Sequence, residues 1–245
     1  MKTITVPVGN RIHYFNDFLK SLCKNDLHGY VIYFAFEPDA FIGNGIEATS
    51  FIDNLCACLP IEVKITLNTS KLGVRKNPFS IIEKAFDDGS EFNIHLEDDI
   101  KLSPDAICLA NWYYEKFKHS NEYSAYGFFN KNSSYDSYEK LTVVKNRFFG
   151  LGWCCYKRDW IDIFKKYWFD DNIASKHFGR SKGWDWAVSG AFIEFGKKQL
   201  LPTLSRSIHI GREGGTHCTA KYHDKIFSNF AWNEHKVIKE FELWK

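Results

Sequence analysis

No stretch of this chain approaches the ~18 consecutive apolar residues that a membrane-spanning helix requires, so a membrane span is excluded as an expectation. Charge of one sign is also missing. The formal net charge of +2 is too small to imply a polyanion-binding surface, although basic residues gather locally at Lys197, Lys198, Arg206, Arg212, Lys221 and Lys225. No Cys-x-x-Cys pair occurs among the seven cysteines (Cys23, Cys56, Cys58, Cys108, Cys154, Cys155 and Cys218), and their number is odd. That argues against a disulfide framework and against a structural zinc site. The opening MKTITVPVGN has no apolar signal-peptide core. Reduced thiols and a cytoplasmic protein are the expectation. There is no internal repeat, no low-complexity tract and no G-x-x-x-x-G-K-[ST] phosphate loop. GlyAsnGlyIleGluAla (43–48) fits G-x-G-x-x-A, but it does not follow the first strand, so it reads as a loop and not as a dinucleotide site.

Aromatic residues are plentiful instead: 22 Phe, 12 Tyr and 8 Trp among 245 residues. They supply a large core, and Trp and Tyr also suit stacking on sugars or bases. In the first half, strands are expected at 3–8, 30–36, 62–67 and 92–96. Residues 30–36 are almost wholly apolar, as in a sheet covered on both faces. Between the strands lie helical patterns. One has Phe15, Phe18, Leu19 and Leu22 at i, i+3, i+4 and i+7. A second is expected to be capped by Asn77, with Pro78 at its first position and a stop at Gly89. A third starts at Ser103-Pro104-Asp105. In the second half, strands are expected at 124–129, 141–149, 199–204 and 206–210, helices near 158–168 and 184–195, and a loop over 170–183. This alternation predicts an α/β fold whose central sheet is mostly parallel and flanked by helices. One domain with two lobes, 1–120 and 121–245, is the simplest organisation.

In such sheets ligands bind beyond the carboxyl ends of the strands. Gly9-Asn10-Arg11 and Glu97-Asp98-Asp99 both follow strand ends and are expected to share that rim. Three adjacent carboxylates between buried elements need a cation, and hard oxygen ligands suit Mn²⁺ or Mg²⁺ together with a phosphate co-ligand. A solvated turn at a strand end is the simpler alternative. Asp185, between Trp184 and Trp186 at a helix start, is either a dipole-favoured acid or a general base on a hydroxyl, its affinity for protons raised by an aromatic pocket. The Gly-rich stretch 205–218, with Arg212 and His217, can wrap a diphosphate, and His217 can bind either metal or phosphate.

In order along the chain, these segments resemble GT-A-fold nucleotide-sugar glycosyltransferases, and more narrowly the N-acetylglucosaminyltransferase I family (glycosyltransferase family 13). The resemblance is carried by Asn10-Arg11, HLEDDIKLSPDA (95–106), PhePheGlyLeuGlyTrp (148–153), TrpAspTrp (184–186) and SerArgSerIleHisIleGlyArgGluGlyGlyThrHis (205–217). It implies a GT-A fold with a smaller acceptor-side lobe and a metal-dependent, inverting transfer of a sugar from a nucleotide-sugar donor to an acceptor hydroxyl. It assigns Asp99 to Mn²⁺, Asp98 to the ribose, Glu97 to the donor sugar and Arg11 to the nucleotide. Arg212 and His217 belong to a loop that closes the donor site, and Asp185 is the base. The chain has one acid where the family has two before the second Trp. It also lacks the family's anchor and stalk, which suggests a bacterial or viral setting. The acceptor is a glycan, a protein or a hydroxymethylated DNA base in a phage-type system. A nucleotidyltransferase on a related fold and a non-catalytic nucleotide- or glycan-binding module are the other readings.

Overall fold

The most apolar segments of the sequence form the middle of one sheet. In a computed structural model, which describes residues 1–42, 45–179, 183–215 and 218–244, the strands are β1 (Lys2–Val8), β2 (Tyr30–Phe36), β3 (Glu62–Leu67), β4 (Phe92–His95), β5 (Ile100–Leu102), β6 (Ala125–Gly127), β7 (Lys140–Lys145), β8 (Trp153–Tyr156), β9 (Lys198–Pro202), β10 (Ser207–His209) and β11 (Glu242–Leu243). Nine of them make one sheet in the order β11-β7-β9-β6-β8-β4-β1-β2-β3. The block β4-β1-β2-β3 is parallel, with Ile4 level with both Ile32 and Ile94. The second half of the chain adds antiparallel pairings through β8 and β7, alongside the parallel pairs β6–β9 and β11–β7. The mostly parallel α/β sheet read from the sequence is therefore present, with an antiparallel seam in its middle.

Pro7 explains where the sheet opens. Its missing N–H faces the β4 side, where the ladder has just ended with the Leu96 N–H donating to the Thr5 carbonyl. A proline is tolerated in a central strand only where no ladder bond is lost. Beyond it β4 departs, and the chain turns into Glu97-Asp98-Asp99.

Each sheet face carries its own core. The helices Ile12–Leu22 and Ala106–Phe117 cover one face with Phe15, Phe18, Ile107 and Tyr113. The other face is covered by Gly73–Asp87, by the helical run 157–167 and by Trp184–Glu194, which bring Ile82, Trp160 and Trp184 into one buried cluster with Trp153. The run 157–167 contains a π-turn over Trp160–Phe164.

Several local expectations give way to tertiary contacts. The helix expected to begin at Asn77 starts a full turn earlier, at Gly73, with Pro78 inside it. Its cap comes from another strand: the Glu37 carboxylate accepts from the Leu72 and Gly73 N–H groups at 3.0 and 2.7 Å. Asn77 instead donates to the Ala35 carbonyl at 3.0 Å. The expected loop 170–183 contains the helix Asp171–Phe178, capped by Asp170 and stopped by Gly179 in the left-handed region at φ +61°. The GlyAsnGlyIleGluAla segment lies partly outside the described residues, and its Glu47 caps the helix Ala48–Cys58. The short buried strand β8 and the helix Ala220–Phe227 had no counterpart in the periodicity reading.

β10 does not join the main sheet. It pairs with β5 in a separate antiparallel ribbon, Ser207 opposite Leu102 and His209 opposite Ile100. At the base of this ribbon lies a fully buried ion pair, Arg206 Nε to Asp105 Oδ2 at 2.9 Å. Arg206 also donates to the carbonyls of Leu204 and Tyr138. Asp105 accepts from the Ser103 hydroxyl at 2.6 Å and from the Asn233 amide at 2.9 Å. Removing one partner strands the other charge without water. Arg206→Leu is therefore expected to cost about 3–5 kcal/mol, read as a lower midpoint in urea unfolding.

A second buried acid gives a pH signature. Burial pushes Asp159 up to about 7, opposed in part by Arg158 and Lys197. Its folded value lies above its unfolded one, so the native state binds more protons between about pH 4 and 7. Stability is therefore expected to fall as pH rises through that window, and the fall should flatten in Asp159→Asn. Thermal unfolding across pH checks this.

Candidate active site

The parallel strands end on one rim, and a cleft of about 580 Å³ opens there. From the β1 end it is lined by Pro7, Gly9, Asn10 and Arg11, from the β2 end by Glu37 and Asp39, and from the β4 end by Glu97, Asp98 and Asp99. Phe129 and Lys131 come in after β6, and residues 147–151 before β8. The start of the helix Trp184–Glu194 brings Asp185 and Trp186, and His209 and Gly214 come from the segment beginning with β10. Arg11, Glu97, Asp98, Asp99 and Asp185 therefore share one cleft.

The three acids are held differently. The Gly9 N–H donates to Asp98 Oδ2 at 2.7 Å, which ties the β1 loop to the acid run. Asp99 Oδ2 accepts from Arg11 Nη2 at 2.5 Å and lies 3.2 Å from His209 Nε2. Asp98 and Asp99 are buried, whereas Glu97 is half-buried at the cleft wall. Burial raises the proton affinity of Glu97 well above the ordinary range, with Asp99, Asp98 and Asp185 adding to it. Burial and the Asp99 charge push Asp98 up to about 7. Burial also acts on Asp99, but the bonds and charges of His209 and Arg11 outweigh it and hold Asp99 below its usual value. The guanidinium of Arg11 is in turn held above its ordinary value by Asp99 and Asp98, against its own burial. One guanidinium thus serves three carboxylates, and the surplus negative charge favours a proton or a cation.

A glycine fits the next layer. A Cβ on Gly211 would lie 2.3 Å from Asp99 Oδ2 and 2.7 Å from Arg11 Nη1. The 211–215 segment closes against this ion pair, with the Glu213 carbonyl accepting from Arg11 at 3.4 Å and the Glu213 N–H donating to the Tyr14 hydroxyl at 3.0 Å.

Asp185 stands in the first turn of its helix, where the dipole favours a carboxylate. The expected aromatic enclosure is not what surrounds it, because Asp185 is exposed. Trp184 turns into the core, stacked on Trp168 at 4.3 Å and 5°, while Trp186 packs on Phe178 at 5.0 Å. The stacked Trp184 fixes the start of the helix and hence the position of Asp185. Gly183, at φ +144°, is required there because a Cβ would meet Trp186 Cδ1 at 2.6 Å.

Two sequence candidates remain, Arg212 and His217. Arg212 is outside the cleft lining and forms a forked pair with Asp224, Nε and Nη2 each 2.8 Å from a carboxylate oxygen. His217 lies outside the described residues. His209 was not singled out from the sequence, though the Gly-rich stretch contains it. The alternation of β10, with Ser207 and His209 buried and Ile208 half-buried, is the signal that sets it on the acid side.

The donor chemistry at the rim fits a hard divalent cation only in part. Among the described residues no three His, Cys, Asp or Glu side chains converge on a point. Asp99 and His209 supply at most two protein ligands, so phosphate oxygens or waters would complete the shell, as Mg²⁺ and Mn²⁺ permit.

Comparison with known proteins agrees with the architecture. No family model matches the chain, and no curated protein sequence matches it. Solved structures do. The mannosyltransferase PcManGT from Pyrobaculum calidifontis, in complex with GDP-Man and Mn²⁺, is 12% identical, with 82% of this chain and 54% of that chain covered and a TM-score of 0.54. S. aureus TarS 1–349 in complex with UDP-GlcNAc is 10% identical, with 82% and 56% covered and a TM-score of 0.55. The chain spans little more than half the length of these proteins. The fold is GT-A, that of nucleotide-diphospho-sugar glycosyltransferases. Among the described residues no helix is long and apolar enough to cross a membrane.

Gly211→Ala is expected to drive Asp99 and Arg11 apart at a stability cost of about 1–3 kcal/mol. A lower midpoint in urea unfolding checks this.

Proposed function

We propose that the protein is a metal-dependent glycosyltransferase that moves a sugar from a nucleotide-sugar donor to an acceptor hydroxyl, with inversion. One observation carries the reading: the carboxylate run after β4, with Asp99 against Arg11 and His209, and a separate carboxylate, Asp185, line a single cleft on a GT-A sheet. The nucleotide sugars and Mn²⁺ bound by the structural neighbours support it. The narrower likeness to the N-acetylglucosaminyltransferase I family belongs to the same proposal. So does the division into a donor lobe, 1–120, and an acceptor lobe, 121–245.

Each residue has a part in this reading. Asp99, with His209 beside it, would hold Mn²⁺ or Mg²⁺, and the ion would supply positive charge for the departing diphosphate. Arg11 leaves Asp99 for the donor phosphates. Asp98, anchored by the Gly9 N–H, accepts from a ribose hydroxyl, and Glu97 from the donor sugar. Arg212, fastened to Asp224, holds the 211–215 segment, and His217 takes a phosphate or the metal. Asp185 takes the proton from the acceptor hydroxyl as that oxygen attacks the anomeric carbon. The bond from that carbon to the phosphate oxygen breaks, and the nucleoside diphosphate departs with the electron pair. An exposed carboxylate at a helix N-terminus suits a base that must be ionised before substrate arrives.

Asp185→Asn is expected to lower kcat by about 10²–10⁴ with donor KM and thermal midpoint little changed, since only the base is lost. Asp99→Asn is expected to abolish the Mn²⁺-dependent rise in thermal midpoint produced by the preferred nucleotide sugar. Full transfer by Asp185→Asn would remove it from the base role. Release of pyrophosphate in place of nucleoside diphosphate would establish nucleotidyl transfer instead.

A further inference from the structure

Two cations in the cleft have no carboxylate. Lys131 follows β6 and Arg147 follows β7, and both line the cleft that contains Asp185. The other Lys and Arg side chains lining it are neutralised in place, Arg11 by Asp99 and Lys71 by Asp39 at 2.6 Å. Among the described residues neither Lys131 nor Arg147 makes an ion pair. Both are exposed, so folding does not demand a counter-charge.

Charge is separated across the cleft. Glu37, Glu97, Asp98 and Asp99 follow β2 and β4. In the order β6-β8-β4, the strand leading to Lys131 is two spacings from the strand leading to the acids, roughly 10 Å. Arg147 is placed by an aromatic floor. Its guanidinium lies over the Phe149 ring at 5.0 Å, and Phe149 packs on Phe129 at 6.2 Å. Phe149 is itself pinned through its backbone, its N–H donating to Gln199 Oε1 at 2.8 Å and its carbonyl accepting from Gln199 Nε2 at 3.1 Å. The result is a packed ring surface under Arg147, in the same cleft as Lys131 and contributed by the strands beyond β8 from the acids.

We propose that this corner is the acceptor subsite, and that the acceptor carries an oxyanion, a phosphate or a carboxylate, near the hydroxyl to be glycosylated. This rests on the transferase reading above. A ring of the acceptor packs on the aromatic floor, the guanidinium fork meets the oxyanion in two-pronged fashion and the lysine adds a point charge. A donor diphosphate is the weaker occupant here, because it would leave the three carboxylates without the cation they favour.

The test uses calorimetric binding to the full chain in EDTA, with glucose, glucose 6-phosphate and glucuronate as probes. At least one charged sugar is expected to bind about tenfold tighter than glucose, and the preference should shrink in about 0.5 M salt. The double variant Lys131→Gln/Arg147→Gln is expected to lose the preference, and Lys166→Gln, at an exposed lysine outside the cleft, to retain it. The phosphate and carboxylate arms separate the two anion types. Equal binding of charged and neutral probes, or a preference that survives the double variant or vanishes equally in Lys166→Gln, overturns the proposal. Donor hydrolysis with Mn²⁺, measured on the same wild-type preparation, reads the transferase assignment separately. Turnover without charge selectivity sinks only the acceptor class, whereas absence of turnover with every donor tried sinks the transferase reading and the acceptor role with it.

Discussion

The site depends on a buried ion pair that is not part of it. Arg206 and Asp105 are both fully buried and meet at 2.9 Å, with Ser103, Asn233 and the carbonyls of Leu204 and Tyr138 as further partners. A pair of this kind contributes little net stability, because desolvation offsets attraction, but it allows few arrangements of the chains that carry it. Here it holds the β5–β10 ribbon at its base. Asp99 and His209 stand at the other end of that ribbon, and the Ile210 N–H donates to the Asp99 carbonyl at 2.8 Å. Residues more than a hundred positions apart are brought within 3.2 Å by this ladder.

Electrostatics then distinguishes three acids that look alike in sequence. Asp98 is fastened to the β1 loop, Asp99 is shared between Arg11 and His209, and Glu97 is left at the cleft wall with no cation of its own. Crowding them in low dielectric stores an affinity for positive charge. Folding tolerates it because Arg11 meets part of the demand and protons can meet the rest. A cation arriving with an anionic donor would relieve the same crowding. In the proposed reading, structural stability and donor recognition therefore draw on one feature, the uneven sharing of Arg11.

The aromatic wealth of the chain has a mechanical use. Trp153, Trp160, Trp168 and Trp184 form a close-packed cluster beneath the helix that begins at Trp184, with Trp168 and Trp184 stacked and the other pairs tilted or edge-on. Large rings packed this closely have few alternative arrangements, so Asp185 is presented from a firm base although its side chain is exposed. The floor under Arg147 uses the same device with Phe129 and Phe149.

Local pattern was enough to place the parallel strands β1 to β4, the helix Ile12–Leu22 between the first two and the rim shared by Arg11 and Glu97-Asp98-Asp99, but not the helix Ala48–Cys58. Apolar runs and glycine-bounded helices encode those directly, and strand-end acids are visible as a break in the run. Asp185 was also legible, as an acid at the start of an apolar helix. What only the tertiary structure decided rests on distant partners. The helix at Gly73 begins where Glu37 caps it from β2, a contact no window of neighbouring residues contains. Asp105 serves Arg206 where a local reading makes it a helix-start acid. His209 and not its neighbours joins Asp99, because register across β5 and β10 selects it. Arg212 turns to Asp224, outside the cleft. Periodicity reports which face of an element is buried, whereas the choice of partner across that face is made by packing, and the chemistry of this cleft is a matter of partners.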